Sequence, residues 1–242
     1  LTKWNTTIDL AEQIPSAVRT AFRAMTTGKP GSTHICLPYD VQKHDVSIDD
    51  IWAQKEHCKY PAQRYVANHS DIEKAAKLLL SAHFPVLICG GGVINSGAEQ
   101  ILKEIAELLN IPVCTTVSGQ GSLAGSHPLN AGVVGANGGV MATREVVNSA
   151  DLVFFITCRA GSTTTENWRF PNKSIPIIHL DIDPDTVGVN YHTQVALIGD
   201  AKLTLQELYS ELLENIKLRP KNCVDGKSLV ATSKAIKFES FL

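Results

Sequence analysis

The stretch LICGGGVINSGAEQ, from Leu87 to Gln100, places three consecutive glycines between an apolar run and a helical pattern. The run VLIC just before the glycines has the length and composition of a strand that is buried on both faces. After the glycines, Ser96 predicts a helix N-cap. Apolar side chains then recur at helical spacing on one face, at Ile101, Leu102, Ile105, Leu108 and Leu109. The stretch therefore predicts a strand, a glycine turn and a helix.

The glycine turn itself allows two interpretations. Backbone N–H groups at a glycine turn and at a helix N-terminus point outward together, which makes a binding site for an anion. The spacing GGGxxxxG, however, differs from the GxGxxG fingerprint of dinucleotide-binding domains. Three glycines can also simply permit positive φ angles and a close approach of helix and sheet. The loop alone leaves both interpretations open.

Strand and helix patterns alternate along most of the remaining chain. An N-capped helix with an acidic first turn begins at Ser70. The predicted strands cover residues 86–89, 113–117, 152–157, 175–181 and 194–198. The predicted helices that follow cover residues 98–109, 140–149, 184–190 and 202–216. Strands separated by helices indicate a parallel sheet covered on both faces. We therefore expect an α/β fold with a doubly wound, Rossmann-like parallel sheet over residues 70–217.

The segments on either side of this domain are shorter and less regular. Residues 1–42 contain a helical pattern from Ile8 to Met25 and a short strand at 32–38, which indicates a partial N-terminal α/β segment. Residues 43–69 have no sustained periodicity and predict a linker, and residues 218–242 predict a second one.

Composition excludes several classes of protein. The 242 residues are 44% hydrophobic and 19% charged, which is typical of a globular protein. A net charge of -2 without a Lys/Arg-rich block argues against nucleic acid or an anionic membrane as the main partner. No apolar run approaches the roughly 20 residues of a membrane span, and no signal segment opens the chain. We expect a cytoplasmic protein.

The six cysteines form no CxxC pair, so the sequence indicates neither a zinc site nor a redox motif. Four of them lie within or beside apolar runs and are expected to be buried thiols: Cys36, Cys89, Cys114 and Cys158.

Four stretches together carry a family resemblance: PYDV at 38–41, GGGV at 90–93, SGQGSLAGSHPLNAGVVGANGG at 118–139, and the region from IIHLDIDPDTVGVNY to VALIGDAKLTLQEL at 177–208. In this order and spacing they resemble the thiamine-diphosphate-dependent enzymes of the acetolactate synthase type. The resemblance implies that residues 1–42 close the pyrimidine-binding domain and that residues 70–217 are the central nucleotide-cleft domain. The strand at 32–38 would then belong to a different sheet, and its neighbours are expected to lie outside the chain. Residues 218–242 would then lead towards a missing diphosphate-binding domain.

The resemblance also implies an activity for the intact protein, which would use thiamine diphosphate and Mg²⁺ to decarboxylate or ligate 2-oxo acids. The family's catalytic glutamate lies upstream of anything that matches this chain, and its GDG…N metal motif lies downstream. The sequence VDGKS at 224–228 lacks the strand and the later Asn of that motif. We therefore expect no catalytic residue and no metal ligand here, and no activity from this chain alone. The family implies a homodimer or homotetramer that includes the missing domains.

In the flavin-bearing members of this family, FAD binds at the C-terminal ends of the central strands. Carried over by position, the glycine loop would approach the pyrophosphate or ribose through Gly90, Gly91 and Gly92. The residues that would line the flavin are Val117, Val134, Gly135, Ala136 and Asn137. The residues that would contact phosphate, adenine or ribose, or close the site, are Cys158, Arg159, Asp181, Ile182, Gly199 and Asp200.

One departure from the family leaves the ligand open. After the Arg, flavin-binding members continue with a bulky residue, two acids and another Arg, whereas this chain continues with AGSTTTENW. FAD, another adenine nucleotide and an empty cleft are therefore alternatives. The corresponding functions are a nucleotide-binding central domain, a nucleotide sensor module, and a structural or oligomerisation domain.

Simpler roles stand beside several of these assignments. Arg159 could be a surface ion-pair partner, and Asp183 could be the N-cap of a short helix. His127 is not expected to be a catalytic base because no nucleophile or carboxylate partner is identifiable near it. His179, in an apolar strand, predicts a hydrogen-bonded core histidine. The run STTT at 162–165 predicts a solvated turn more than a phosphate loop.

Overall fold

A computed structural model describes residues 1–47, 49 and 51–239 of the chain. The chain divides into two compact units, Leu1–Arg64 and Tyr65–Leu242. The first corresponds to the partial N-terminal α/β segment and its linker, and the second contains the predicted central domain.

The first unit is a small parallel pair of strands with one helix. Strand β1 (Trp4–Thr7) pairs in parallel with β2 (Thr33–Cys36), and α1 (Ile14–Thr26) lies between them in sequence. A small core forms from Ile8, Ala11, Ala17 and Val41. We expected the neighbours of the strand at 32–38, which is β2, to lie outside the chain. This was wrong for one neighbour, because β1 pairs with β2. The sequence WNTT hid β1 because it contains a single apolar side chain.

The second unit contains a parallel sheet of six strands in the order β5-β4-β3-β6-β7-β8. Its strands are β3 (Pro85–Cys89), β4 (Val113–Thr115), β5 (Asn130–Val133), β6 (Leu152–Ile156), β7 (Ile177–Asp181) and β8 (Val195–Ile198). Its helices are α2 (His69–Ser81), α3 (Gly92–Ser96), α4 (Glu99–Leu109), α5 (Met141–Asn148), α6 (Ser162–Thr165), α7 (Ala201–Asn215) and α8 (Gly226–Glu239). This order is that of a doubly wound sheet, as predicted.

Both faces of this sheet are buried, which explains the continuous apolar composition of its strands. In β6, Phe154 packs into a core with residues of α2, α4 and α7, whereas its neighbour Phe155 packs into a second core with residues of α5. Both phenylalanines are fully buried. Successive residues of a strand point to opposite faces, so one apolar strand serves both cores.

The residues after the glycine turn form two helices, and the N-cap role predicted for Ser96 was wrong. Ser96 is not an N-cap: it is the last residue of α3, and its hydroxyl donates to the carbonyl oxygen of Val93 at 3.1 Å. Gly97, with a φ of 66°, ends α3 in the left-handed conformation, and α4 starts at Glu99. The glycine turn therefore leads into five helical residues, and the helix predicted over residues 98–109 follows as α4.

Two other local predictions were wrong. Strand β5 was missed because Gly132, with a φ of 107°, interrupts its apolar pattern and coincides with a register shift against β4. Residues 184–190 form turns instead of a helix. The carboxylates of Asp181 and Asp183 accept the N–H groups of Asp183 and Asp185, which are Asx-turn contacts that compete with helix formation.

The segment 219–239 is attached to the second unit along the amino ends of its strands. Arg219 donates to the carbonyl oxygens of Leu79 at 3.2 Å and Leu109 at 2.9 Å, the C-terminal turns of α2 and α4. Helix α8 then packs against α5 and β5, and its Val230 is 1% exposed. The linker role expected for residues 218–242 stays a prediction, but much of this segment is helical and docked.

Candidate functional site

The strand order creates a switch point between β3 and β6. From β3 the chain adds β4 and β5 on one side, and then crosses back to add β6, β7 and β8 on the other. After β3 the chain therefore continues towards β4, and after β6 it continues towards β7, on opposite sides of this point. Open parallel sheets bind ligands in the crevice at such a point. In this chain residues 90–92 and 157–160 lie at that point, which makes it the candidate crevice.

The three glycines of the β3 loop allow neighbouring loops to come close. A Cβ atom on Gly90 would lie 2.0 Å from the carbonyl oxygen of Thr157, and one on Gly92 would lie 2.6 Å from the Thr157 Cβ. A Cβ atom on Gly91 would lie 2.9 Å from the carbonyl oxygen of Ser118 in the β4 loop. All three positions thus require glycine because backbone or side-chain atoms of the neighbouring loops occupy the space of a Cβ atom.

The same loop nevertheless presents two backbone donors. Gly91 and Gly92 are partly exposed. Among the described residues, neither of their N–H groups has a hydrogen-bond acceptor, whereas the next one, from Val93, donates to Gly90. Both interpretations of the loop therefore hold. The glycines are needed because neighbouring loops pack against their Cα atoms, and the N–H groups of Gly91 and Gly92 can bind an anion.

The loop after β6 fixes an exposed arginine beside these donors. The carbonyl oxygen of Cys158 accepts a hydrogen bond from Nε2 of His179 at 2.8 Å, and that of Arg159 accepts one from Nδ2 of Asn190 at 3.1 Å. The side chain of Arg159 is exposed, and its guanidinium forms no ion pair or hydrogen bond within the described part of the chain. The surface ion pair considered for Arg159 is therefore not formed.

The backbone on both sides of Arg159 is in an unusual conformation. Thr157 has a φ of 50° and Ala160 a φ of 46°. A β-branched residue rarely adopts a positive φ, and strain of this kind costs on the order of 1–3 kcal/mol per residue and concentrates at functional sites. The strain places Arg159 on a fixed turn at the switch point.

Asp181 and Ile182 follow at the carboxyl end of the neighbouring strand β7, where both are partly exposed. Oδ1 of Asp181 accepts the N–H of Asp183, and a carboxylate oxygen can accept more than one hydrogen bond. Asp183 does not cap a helix; its carboxylate accepts from the N–H of Asp185 and from the hydroxyl of Thr186. The structure thus brings Arg159 and Asp181 to adjacent strand ends.

The residues assigned to the flavin lie on the other side of the switch point. Val117 is 48% exposed at the end of β4. The loop after β5 begins with buried Val134 and Gly135 and continues with exposed Ala136 and Asn137. The N–H of Ala136 donates to the carbonyl oxygen of Thr163 at 2.8 Å, so this loop is already joined to the loop after β6.

Gly199 and Asp200 have structural partners at the end of β8. The Asp200 side chain accepts the N–H of Leu203 and caps α7, and Asp200 is 2% exposed. A Cβ atom on Gly199 would lie 2.7 Å from the nitrogen of Ala67. The structure therefore gives both residues a local role in packing and capping, two strands away from the Arg159 turn.

Buried titratable groups near the crevice are held neutral. Burial lowers the pKa of His179 to about 4, so the ring is the neutral core histidine that the sequence predicted. Burial raises the pKa of Cys114 to about 12 and that of Cys158 to about 11, and it also raises the pKa of Cys89. These three thiols are poor nucleophiles. Cys36, by contrast, is exposed and not buried as predicted.

His127 has a partner that the sequence did not reveal. Its Nε2 lies 3.0 Å from Oε1 of Glu107, and its Nδ1 accepts the N–H of Leu129 at 3.2 Å. The hydrogen bond with His127 is the main cause that lowers the pKa of Glu107. Both ring nitrogens are used in holding the β4–β5 connection against α4. The prediction that His127 is no catalytic base stays a prediction.

An ion pair that sequence analysis missed joins the two sides of the crevice. Nε and Nη2 of Arg144, in the first part of α5, donate to Oε1 and Oε2 of Glu166 at 2.9 and 2.6 Å. The Arg144 guanidinium also lies 5.1 Å from the centre of the Phe170 ring. A separation of 22 residues follows no helical or strand period, so no sequence signal pairs these residues.

The motif VDGKS has a structural explanation. The carboxylate of Asp225 accepts hydrogen bonds from the Ser228 hydroxyl and the Asn110 amide, which lower the pKa of Asp225 to about 2. Across the described residues, no group of three His, Cys, Asp or Glu side chains could hold a metal ion. Nor does any described helix have the length and apolar composition to cross a bilayer.

Comparisons with known proteins identify similar chains. A model of the thiamine pyrophosphate enzyme central domain matches residues 72–208. The "Probable acetolactate synthase large subunit" of Methanocaldococcus jannaschii is 40% identical over 215 residues, which are 88% of this chain and 36% of that protein. The glyoxylate carboligase of Escherichia coli O157:H7 is 31% identical over 205 residues, covering 85% of this chain and 34% of that protein.

A solved structure with the same fold is the benzoylformate decarboxylase from Polynucleobacter necessarius. It superposes with a TM-score of 0.72 at 19% sequence identity, covering 87% of this chain and 38% of that chain. The chain thus spans 34–36% of the length of the two curated relatives named above.

Proposed function

Because this chain belongs to the thiamine pyrophosphate enzymes, as a piece that contains their central domain, we propose that it is the non-catalytic nucleotide-cleft domain of a 2-oxo acid carboligase or decarboxylase. Residues 1–42 would close the pyrimidine-binding domain, and residues 218–242 would lead to the diphosphate-binding domain. In an intact homodimer or homotetramer, those other domains would hold thiamine diphosphate and Mg²⁺. Thiamine diphosphate supplies the carbon nucleophile that adds to the 2-oxo group.

The two named curated relatives support a carboligase as the reaction class. One is named an acetolactate synthase large subunit and the other a glyoxylate carboligase. The described residues of this chain offer no cluster of side chains for a metal, and its buried thiols and His179 are neutral. The proposal therefore assigns C–C bond chemistry to the parts of the protein outside these 242 residues.

The observation that carries the nucleotide role is the Arg159 turn. The Arg159 guanidinium has no ion pair or hydrogen bond within the described residues, and it lies on a strained, hydrogen-bonded turn at the end of β6. The partly exposed Asp181 lies at the end of the adjacent strand β7. Arginine binds phosphate through charge-assisted hydrogen bonds, and a carboxylate accepts ribose hydroxyl groups. The unpaired N–H groups of Gly91 and Gly92 add two donors on the neighbouring loop.

Two assays test this proposal. The intact gene product should consume pyruvate only when thiamine diphosphate and Mg²⁺ are added, and residues 1–242 alone should not. The midpoint of thermal unfolding should rise with ADP, because a ligand selective for the folded state stabilises it. Turnover of pyruvate by residues 1–242 alone, or no dependence on thiamine diphosphate in the intact protein, would contradict the catalytic part.

A second candidate is a purely structural domain that spaces its neighbours. The glycine positions favour it, because the space at Gly90, Gly91 and Gly92 is taken by protein atoms of the adjacent loops. A domain of this kind should show no thermal shift with any adenine nucleotide. A sensor module, in contrast, should bind ADP in a gene product that has no thiamine-dependent activity.

A further inference from the structure

We propose that the crevice accepts adenine nucleotides but excludes the isoalloxazine ring of FAD. This inference rests on the proposed nucleotide role and deepens it by naming the class of ligand. Its basis is the loop 134–139, where the family resemblance would place the flavin. In this chain that loop is in contact with the loop after β6.

The first contact joins backbone to backbone. The N–H of Ala136 donates to the carbonyl oxygen of Thr163 at 2.8 Å. A Cβ atom on Gly135, whose φ is 96°, would lie only 2.3 Å from the same oxygen and 2.8 Å from the Thr164 Cα. Non-bonded carbon atoms need about 3.5–4.0 Å between them. An aromatic ring therefore cannot lie between these loops while the contact is made.

The second contact is the ion pair between Arg144 and Glu166. It is bidentate, and the Glu166 side chain is only 10% exposed. Nε of Arg169 also donates to the carbonyl oxygen of Glu166 at 3.0 Å. A partly buried, two-point pair is held more firmly than an exposed one-point pair. We call the Ala136–Thr163 hydrogen bond and the Arg144–Glu166 ion pair together the clasp.

The loop that carries the clasp has an internally fixed shape. The Thr165 hydroxyl donates to the carbonyl oxygen of Gly161 at 3.0 Å and accepts the N–H of Trp168 at 3.1 Å. Glu166, Asn167 and Trp168 all have positive φ angles, of 50°, 59° and 59°. Three successive left-handed residues persist only where surrounding contacts hold them. The conformation of this loop is thus the one in which it forms the clasp.

The groups assigned to phosphate and ribose lie outside the clasp. Arg159 and Asp181 lie at the ends of β6 and β7, and the amide donors of Gly91 and Gly92 lie at the end of β3. None of these groups takes part in the clasp. Phosphate and ribose can therefore bind without displacing the contact at Gly135, whereas a flavin that enters between the two loops has to break it.

The test measures FAD and ADP as separate probes on the intact gene product by equilibrium dialysis. Visible flavin absorbance and nucleotide chromatography would report the two bound ligands. ADP should bind at least about tenfold more tightly than FAD. Equal or tighter binding of FAD by the wild-type protein would overturn the inference alone. Failure of both probes would defeat the proposed nucleotide role as well.

A double variant tests the clasp directly. Arg144→Gln with Glu166→Gln removes the ion pair, and it should raise FAD affinity about tenfold while leaving ADP affinity within about twofold. The matched control is Asp71→Asn with Lys74→Gln, which breaks an exposed ion pair of 2.8 Å on α2 and should change neither affinity. Unchanged FAD affinity in a folded double variant would contradict the clasp. If that variant does not fold, the wild-type preference for ADP still decides the inference.

Discussion

Several polar groups at the amino edge of the six-stranded sheet form hydrogen bonds within the protein, whereas several at its carboxyl edge are exposed to solvent. At the amino edge, Arg219 bonds the last turns of two helices, and the carboxylate of Asp151 accepts the N–H groups of His83 and Phe84 at 2.7 and 2.9 Å. At the carboxyl edge, the Arg159 guanidinium and two glycine amides have no partner among the described residues.

Backbone strain follows the same division. Of the six non-glycine residues with positive φ in the described chain, five lie between Thr157 and Trp168, in the loop at the carboxyl edge. The sixth, Asn110, ends α4 at the amino edge, where a left-handed residue is an ordinary helix terminus. The amino edge is therefore held by hydrogen bonds within the protein, whereas the carboxyl edge combines backbone strain with exposed donors that a ligand could use.

The largest expected effect comes from glycines that touch the backbone of another loop. Gly90→Ala would place a Cβ atom 2.0 Å from the carbonyl oxygen of Thr157 and should lower the free energy of unfolding by about 3 kcal/mol. Gly226→Ala would place a Cβ atom 2.4 Å from the carbonyl oxygen of Asn110. It should lower the free energy of unfolding by less than Gly90→Ala does, since the terminal helix α8 can detach locally. Urea denaturation measures both.

Gly125→Ala is the matched control for these glycine variants, because a Cβ atom there has nothing within 4 Å. Its free energy of unfolding should change by less than about 0.5 kcal/mol. A Gly90→Ala protein as stable as Gly125→Ala would show that the loops at the switch point are not closely packed.

His179 should make the carboxyl edge sensitive to acid. Its pKa is lowered to about 4 by burial, against 6.5 when free, so the unfolded chain gains a proton first as the pH falls. Stability should therefore be full above pH 6.5 and decrease by about 3 kcal/mol as the pH falls to 4.

The variant His179→Gln, which keeps a donor for the carbonyl oxygen of Cys158, isolates this effect. Its free energy of unfolding, measured by urea denaturation from pH 7.5 to 4.5, should depend less on pH than that of the wild type. Parallel pH profiles would show that His179 is not the group responsible.

At the amino edge, Arg219→Ala should lower the free energy of unfolding by about 2 kcal/mol, because two helix carbonyl oxygens lose a charged donor. Arg219→Lys should restore part of this, since one ammonium group cannot match the two-point geometry. Urea denaturation of the three proteins gives the ranking. A loss below about 0.5 kcal/mol would mean that the segment after α7 does not depend on this contact.

The smallest effect on stability is expected for the exposed arginine at the carboxyl edge. Arg159→Gln should change the free energy of unfolding by less than about 0.5 kcal/mol, because the side chain has no hydrogen bond or ion pair to any described residue. The same variant should weaken ADP binding about tenfold in calorimetric titration. A large loss of stability with unchanged ADP affinity would reverse the roles assigned to the two edges.

The sequence predicted the parallel sheet because its strands are buried on both faces and therefore read as continuous apolar runs. Runs such as LVFFI need no tertiary information to be identified. Strands β1 and β5 were missed because they are four residues long and polar or interrupted by glycine. Their pairing comes from neighbours, which a local pattern does not contain.

The candidate site was only partly predictable for the same reason. The positions of Arg159 and Asp181 follow from strand ends, which periodicity can place. The partners of Glu166 and His127 could not be found, because Arg144 and Glu107 approach them through the fold and not through sequence spacing. The Asx turns at Asp181 and Asp183 show a further limit, since the same residue types predict both turns and helix caps.

Amide hydrogen exchange of the intact gene product, with and without saturating ADP, tests the contrast between the two edges most directly. The account predicts slower exchange at Gly91, Gly92 and residues 158–160 when ADP is present, and unchanged exchange at residues 219–228. Slower exchange confined to residues 219–228, or none at the carboxyl edge in saturating ADP, would contradict it.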